Sequence, residues 1–409
     1  MGRHFFGTLF GNTANRGATS WLVAFALLAG APTAGRTQAA TIPVANAAPA
    51  ALAERVGFVM NRALTDSAFP GAVAVVGNRK GILLERSVGR LDLADSTAPS
   101  LHTLWDMASL TKVVALTSVM MQLVEKGLVK LDAPVNRYVP EFTGRWKSRV
   151  TVRHLLTHSS GLPSWRPLYK EATSQADALA LAIATPLDTV PGAQMVYSDL
   201  GAIILGEIAR RVTQTPLDSY ATNNVFAPLG MNETFFRPDT NLRSQIAPTE
   251  IDSWRQRHLR GEVHDENAFA LGGVSGHAGL FSSAHDLARL AQAYLNGGTL
   301  DGRRIWSKRT IEQFTHIQNR KLSHRALGWE TANGANSGGR FMSAQAFGHT
   351  GFTGTSIWID PGNDIFVILL SNRVNPTREN RRISGVRTAL ADSVMALMGR
   401  PNAVSPGAR

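Results

Sequence analysis

The sequence predicts an α+β fold: an antiparallel sheet flanked by N- and C-terminal helices, with a large, mostly helical lobe inserted between its strands. Two observations carry this. Strand-like apolar runs lie at opposite ends of the chain, Gly71 to Val76 and Ile82 to Ser87 early, Ser356 to Ile359 and Ile365 to Leu370 late. Each pair is split by turn-forming residues, Gly77-Asn78-Arg79-Lys80-Gly81 and Pro361-Gly362-Asn363-Asp364. The stretch between, about 105 to 320, has helical rhythm punctuated by Pro and Gly. One sheet built from both chain ends leaves the insertion packed beside it, and a groove between the two is the default place for a site.

In chain order, Arg3 and Arg16 precede an apolar run from Trp21 to Ala31, followed by small-residue sites at Ala45-Asn46-Ala47 and Thr37-Gln38-Ala39. This reads as a secretory signal over 1–47, its apolar core too short to span a bilayer as a helix. Residues 48–409 then form one catalytic domain, with a sheet lobe at about 48–100 and 325–400 and a helical lobe at about 101–324. Residues 49–65 and 383–398 read as the flanking helices. Further helices are expected at 113–126, 152–158, 200–213, 284–296 and 308–314. No second membrane segment appears. The chain has no cysteine, which removes disulfides, thiolate metal sites and lipidation through cysteine. An exported, cysteine-free protein fits a bacterial periplasm or secretion from it.

The formal net charge is +12, and loss of 1–47 removes three arginines to leave +9. Such a chain is drawn to anionic envelope or cell-wall material. The arginine-rich stretch Arg373 to Arg387 lacks interleaved aromatics and reads as a face of the C-terminal helix, which argues against nucleic-acid binding.

Three motifs carry chemistry. Ser109-Leu110-Thr111-Lys112 opens an apolar stretch from Val113 to Val124, and a spacing of three places the Lys112 amine one turn from the Ser109 hydroxyl. A helix apolar on most sides is buried, so Lys112 is expected to be desolvated, which favours its neutral, basic form. Tyr197-Ser198-Asp199 stands before an apolar helix with Ser198 or Asp199 as N-cap, presenting a phenol able to relay a proton. His349-Thr350-Gly351-Phe352 leads into a strand, where glycine permits close approach and exposed N–H groups can hold an oxyanion.

Taken together, Ser-x-x-Lys, Tyr-Ser-Asp and His-Thr-Gly in this order resemble the serine β-lactamase and penicillin-binding-protein superfamily, whose motifs are Ser-x-x-Lys, Tyr-x-Asn (or Ser-x-Asn) and Lys-Thr-Gly. The stretch Thr151 to Pro163 (TVRHLLTHSSGLP), Gly276 to Ser283 (GHAGLFSS) and His349 to Ser356 (HTGFTGTS) are similar to its class C β-lactamase-like branch. The resemblance implies a β-lactamase/transpeptidase-like fold, Ser109 as nucleophile, Lys112 as its base and Tyr197 as second proton-transfer group. It also implies an oxyanion hole from the N–H groups of Ser109 and Phe352, an acyl-enzyme, and no metal or organic cofactor. The implied substrates are small esters, β-lactams or D-amino-acid peptides, and the tyrosine and its surroundings handle the hydrolytic water.

Two departures bear on substrate. Asp199 replaces the usual asparagine and His349 the usual lysine. A histidine is mostly neutral at pH 7, and an added carboxylate disfavours an anionic ligand if it faces the groove. The expectation is therefore an esterase or D-Ala-peptide hydrolase, with true β-lactam turnover as one alternative and a penicillin- or peptidoglycan-binding protein without turnover as another. The remaining histidines suggest no metal. His154 and His158 lack the glutamate of a zinc-protease motif and read as a structural pair, and His264-Asp265-Glu266 with His277 has no diagnostic spacing. The 264–280 loop is a candidate wall of the groove.

Overall fold

The structure, a computed structural model, describes residues 49–399; the signal assigned to 1–47 lies outside the described residues. Helix α1 (Pro49–Thr65) leads into the hairpin β1 (Gly71–Asn78) and β2 (Gly81–Gly89). A helical run beginning at Ala108 ends in α2 (Ser118–Glu125), followed by α3 (Asp199–Thr213) and α4 (Ala284–Leu295). Strands β3 (Glu330–Thr331), β4 (Phe347–Thr350), β5 (Ser356–Asp360) and β6 (Ile365–Ser371) precede α5 (Ile383–Met398).

The six strands form one antiparallel sheet in the order β3-β4-β5-β6-β1-β2. The two ends of the chain meet at its centre, where β1 pairs with β6 from Ala72↔Ser371 to Gly77↔Phe366. Alternation along β1 sorts side chains to two faces. Ala72, Ala74 and Val76 pack with Val367 and Leu369 under α1 and α5, which lie against each other. Val73 and Val75 face the larger core with Ile357, Ile368 and Leu370. Burial on both faces explains why β1 and β6 read as unbroken apolar runs. The second face is covered by α4, which belongs to the inserted region, so the insertion lies on the sheet as well as beside it.

The expected helices are present, most with ends shifted by a residue or two. Short helices at Leu168–Glu171, Gln175–Ala184 and Leu217–Ala221 were not expected, nor was β4. Gly348 and His349 interrupt the strand pattern there, and the strand is recruited by pairing, Phe347↔Ile359 through Thr350↔Ser356. Residues 108–125 are the one described helical run long and apolar enough to cross a bilayer, and it is mostly buried in the protein core.

Candidate active site

The short strand Trp105–Asp106 delivers the chain to Ser109. The buried Asp106 carboxylate accepts the Ala108 N–H at 2.8 Å and the His264 N–H at 2.7 Å. Burial pushes this carboxyl above the usual range, outweighing the N–H donors that lower it. Ala108 takes φ +45°, a left-handed conformation costly for a residue with a Cβ, directly before the nucleophile candidate. Ser109 lies in the single 3₁₀ turn Ala108–Leu110, and Lys112 opens a π-helical segment running to Thr117. The expected one-turn spacing is thus met in a non-α geometry.

Lys112 Nζ donates to Ser109 Oγ at 2.9 Å and to the His277 carbonyl at 3.0 Å. It also forms an ion pair with Asp199 Oδ1 at 2.7 Å and stands 5.0 Å from the Tyr197 ring centroid. The side chain is 3% exposed. Burial alone would lower its pKa, but the Asp199 carboxylate, with Tyr197, more than reverses this and holds the amine above the ordinary lysine range. The expectation that burial leaves Lys112 neutral is therefore corrected: at rest it is a cation, because Asp199 sits beside it.

Ser198 is the N-cap of α3, its Oγ accepting the Gly201 N–H at 3.3 Å and donating to the Pro163 carbonyl at 2.7 Å. This holds Tyr197 just outside the helix, with its ring and hydroxyl beside the Lys112 amine. His158, expected as half of a structural pair, packs on the Tyr197 ring at 4.5 Å. Its Nδ1 accepts the Ser198 N–H at 3.1 Å, and burial, then Arg325 and Lys112, keep the imidazole neutral. His154 alone has the structural role, closing a capping box with Thr151.

His349 lies on β4. Its Nδ1–H donates to the Thr350 carbonyl at 2.8 Å, which leaves Nε2 as a buried acceptor without a partner. Burial, with the charges of Arg325 and Lys112, holds its pKa well below the usual value. The turn after it is stitched to the nucleophile segment: Thr353 Oγ1 donates to the Asp106 carbonyl at 2.7 Å and Thr355 Oγ1 to the Met107 carbonyl at 3.1 Å. A Cβ on Gly351 would stand 2.1 Å from Thr355 Oγ1 and 2.4 Å from the Met107 carbonyl oxygen, so only glycine fits. Phe352 is half exposed and stacks on His264, with ring centroids 5.6 Å apart.

Ser109, Tyr197, His349, Thr350, Gly351 and Phe352 line one cleft of about 500 Å³. Asp199 does not line it, and the carboxylate expected to repel anions is paired with Lys112. Arg325, Arg373, Arg378, Arg381 and Arg387 line the same cleft. Of these only Arg387 lies on α5; the others precede the C-terminal helix that was expected to carry the arginine-rich stretch. The 264–280 loop supports the site from behind, the His277 carbonyl accepting from Lys112 and the His264 ring packing on Phe352, but none of its residues lines the cleft. His277 spends both ring nitrogens on Ser275 Oγ (2.7 Å) and Asp265 Oδ1 (2.8 Å), and His264 pairs with Glu250 at 2.9 Å. A larger cavity of about 640 Å³, between 172–175 and 261–281, contains none of the motif residues.

Sequence reasoning missed Asp106, His158 and Arg325. Only Asp106 left a signal, as an Asx turn ahead of the Ser-x-x-Lys motif.

The model of the Beta-lactamase family matches residues 52–391. A Salmonella agona (strain SL483) protein named "Putative D-alanyl-D-alanine carboxypeptidase" is 31% identical over 366 residues, covering 80% of this chain and 84% of that protein. Among solved structures, a penicillin-binding protein homolog from Caulobacter crescentus superimposes with TM-score 0.69 at 21% identity, covering 85% of this chain and 97% of its own. A family VIII carboxylesterase gives TM-score 0.67 at 24% identity with the same coverage. The fold is β-lactamase/transpeptidase-like, and the chain belongs to the Beta-lactamase family as a serine hydrolase.

Proposed function

We propose that this is an exported hydrolase that works through an acyl-enzyme on Ser109, acting on D-alanyl peptides or small esters. The observation that carries this reading is Lys112 Nζ, buried, 2.9 Å from Ser109 Oγ and paired with Asp199. In the proposed sequence the resting lysinium, held as a cation by Asp199, first gives up its proton to solvent. Lys112 can then accept the Ser109 proton as Oγ attacks the substrate carbonyl. The N–H groups of Ser109 and Phe352 hold the oxyanion, and Thr353 and Thr355 fix the spacing of their segments. Tyr197, beside the Lys112 amine, passes its proton to the leaving group and recovers one from Lys112, and water releases the acid. Every step is completed by groups of the chain, so the reaction is expected to survive chelation.

A second reading, β-lactam turnover, gains from the cationic cleft, which admits the carboxylate of such substrates. The D-alanyl reading also draws on the name of the Salmonella relative, and the esterase reading on that of the carboxylesterase. Export rests on residues 1–47, and N-terminal sequencing of protein from the cell envelope would test it. Product release from a short-chain p-nitrophenyl ester, a D-Ala-D-Ala peptide and a penicillin selects among the readings. Turnover of the first two and not the third is expected. A stable penicilloyl adduct without turnover would replace the hydrolase reading with a binding role, and activity abolished by chelator would reject the serine mechanism.

A further inference from the structure

Away from the cleft, one cluster of ligating side chains has no part in the Ser109 chemistry. It lies at one end of a small antiparallel sheet, in which the strand Leu280–Ser282 runs between Trp105–Asp106 and Phe235–Phe236. Each strand has one member of the cluster close by in sequence: His102 ahead of Trp105, Glu233 ahead of Phe235, and His285 in the first turn of α4 after Ser282. One ligand atom from each of the three side chains lies within 4.8 Å of those of the other two. None of the three lines the cleft that contains Ser109.

The neighbours hold this cluster in place. His102 Nδ1 stands 2.9 Å from Glu233 Oε1, and Ser283 Oγ donates to Glu233 Oε2 at 2.5 Å. The His102 and His285 rings have centroids 5.3 Å apart. Behind them Asp286, 1% exposed, accepts the Glu233 N–H and the Thr234 hydroxyl on Oδ2 at 2.7 and 2.8 Å. Its Oδ1 meets His285 Nδ1 at 3.1 Å. With Nδ1 as the donor there, His285 Nε2 keeps its lone pair, the arrangement in which a carboxylate orients a ligating imidazole. Among the described residues no lysine or arginine pairs with Glu233 or Asp286; their ion-pair partners are histidines. Two neighbouring carboxylates therefore lack a permanent cation.

Two imidazoles and a carboxylate are a donor set suited to zinc, with a fourth position left for water. Bonds of about 2.0–2.2 Å to a tetrahedral ion set its ligands roughly 3.3–3.5 Å apart, so the His102–Glu233 pair is already near that spacing. His102 is exposed and the other two partly so, which leaves the cluster open to ions from solvent. We propose that His102, Glu233 and His285 form a binding site for a divalent transition-metal ion of the zinc class. The bound ion clamps the chain ahead of the nucleophile strand to the start of α4 and to the segment before Phe235. Calcium and magnesium, which prefer all-oxygen ligands, are excluded by the two imidazoles. The site is independent of the acyl-enzyme reading.

The test is calorimetric titration of tag-free, chelator-stripped protein with zinc chloride, with calcium and magnesium chlorides as controls, and melting temperature followed in parallel. One zinc ion per chain is expected, with a melting temperature that rises with zinc and with neither control. His102→Ala and His285→Ala should each weaken zinc binding at least about tenfold, while His316→Ala, at an exposed histidine outside the cluster, should leave it unchanged. Neither His102 nor His285 is buried, so both variants should melt with the wild type in chelator, and either one suffices should the other fail to fold. No zinc binding by the wild type, or equal affinity in the wild type and both variants, would overturn the proposal. Acylation of Ser109 at 25 °C should be the same with zinc and with chelator; acylation that requires zinc would overturn the clamp role, and absence of acylation under both conditions would count against the acyl-enzyme reading alone.

Discussion

At the scale of single residues, Asp199 decides how the site works. A lysine buried beside a serine would be a ready base if it were alone; with a carboxylate 2.7 Å away it is a cation that must first give up its proton. If neutral Lys112 is needed for attack, activity rises with pH along a limb set by that proton. Asp199→Asn removes the charge that raises the lysine pKa, so this limb of the kcat/KM profile should move to lower pH by about one pH unit or more. An unmoved limb would show that the pair does not control the reaction. The sign for stability is the reverse. A lysine pKa raised by folding stabilises the protein below the ordinary lysine range and ceases to do so as pH rises through the folded value. The contact between Ser109 and Lys112 was legible because a three-residue spacing is local. His158 and Arg325 were not, since each acts through contacts with residues far away in the chain, and for Asp106 only the turn with Ala108 was local, its bond to His264 being distant.

At the scale of elements, the stitch between the β4–β5 turn and the segment before Ser109 places the two N–H groups that would face an oxyanion. It consists of two threonine hydroxyls on two carbonyls and a glycine that lets the backbones touch. Thr353→Val keeps the shape and deletes one bond, leaving the Asp106 carbonyl unpaired. We expect a loss of about 1–2 kcal/mol in stability from denaturant titration, with kcat falling more than KM changes. Full retention of kcat would mean the turn is held by something else. His-Thr-Gly was readable as a motif, but not as part of a strand. A four-residue segment containing glycine has little pattern of its own, and pairing with β5 rather than propensity makes it a strand.

At the scale of the whole molecule, the sheet assembled from both ends was legible because its central strands are buried on both faces and read as apolar runs. The position of α4 across one face was not, as helical periodicity says which residues are buried and not against what. The fold also gathers two neutral imidazoles, His158 and His349, among cations: Lys112 and Arg325 bear on both, and Arg387 on His349. Their pKa values lie well below the ordinary 6.5 because burial and these charges oppose protonation. The unfolded chain therefore binds protons that the folded one refuses, and stability should fall as pH drops below about 6.5. Melting temperature followed from pH 7 to 5 should decline less steeply in His349→Gln than in the wild type. Identical slopes would place the acid sensitivity elsewhere.

The central claim, that Ser109 carries the acyl group, is tested most directly by intact mass of the wild type and Ser109→Ala after exposure to the same activated acyl donor. The expected result is a single acyl adduct on the wild type, mapped to Ser109 by peptide digestion, and no adduct on Ser109→Ala. An adduct of equal extent on both proteins, or substrate turnover that survives in Ser109→Ala, would contradict it.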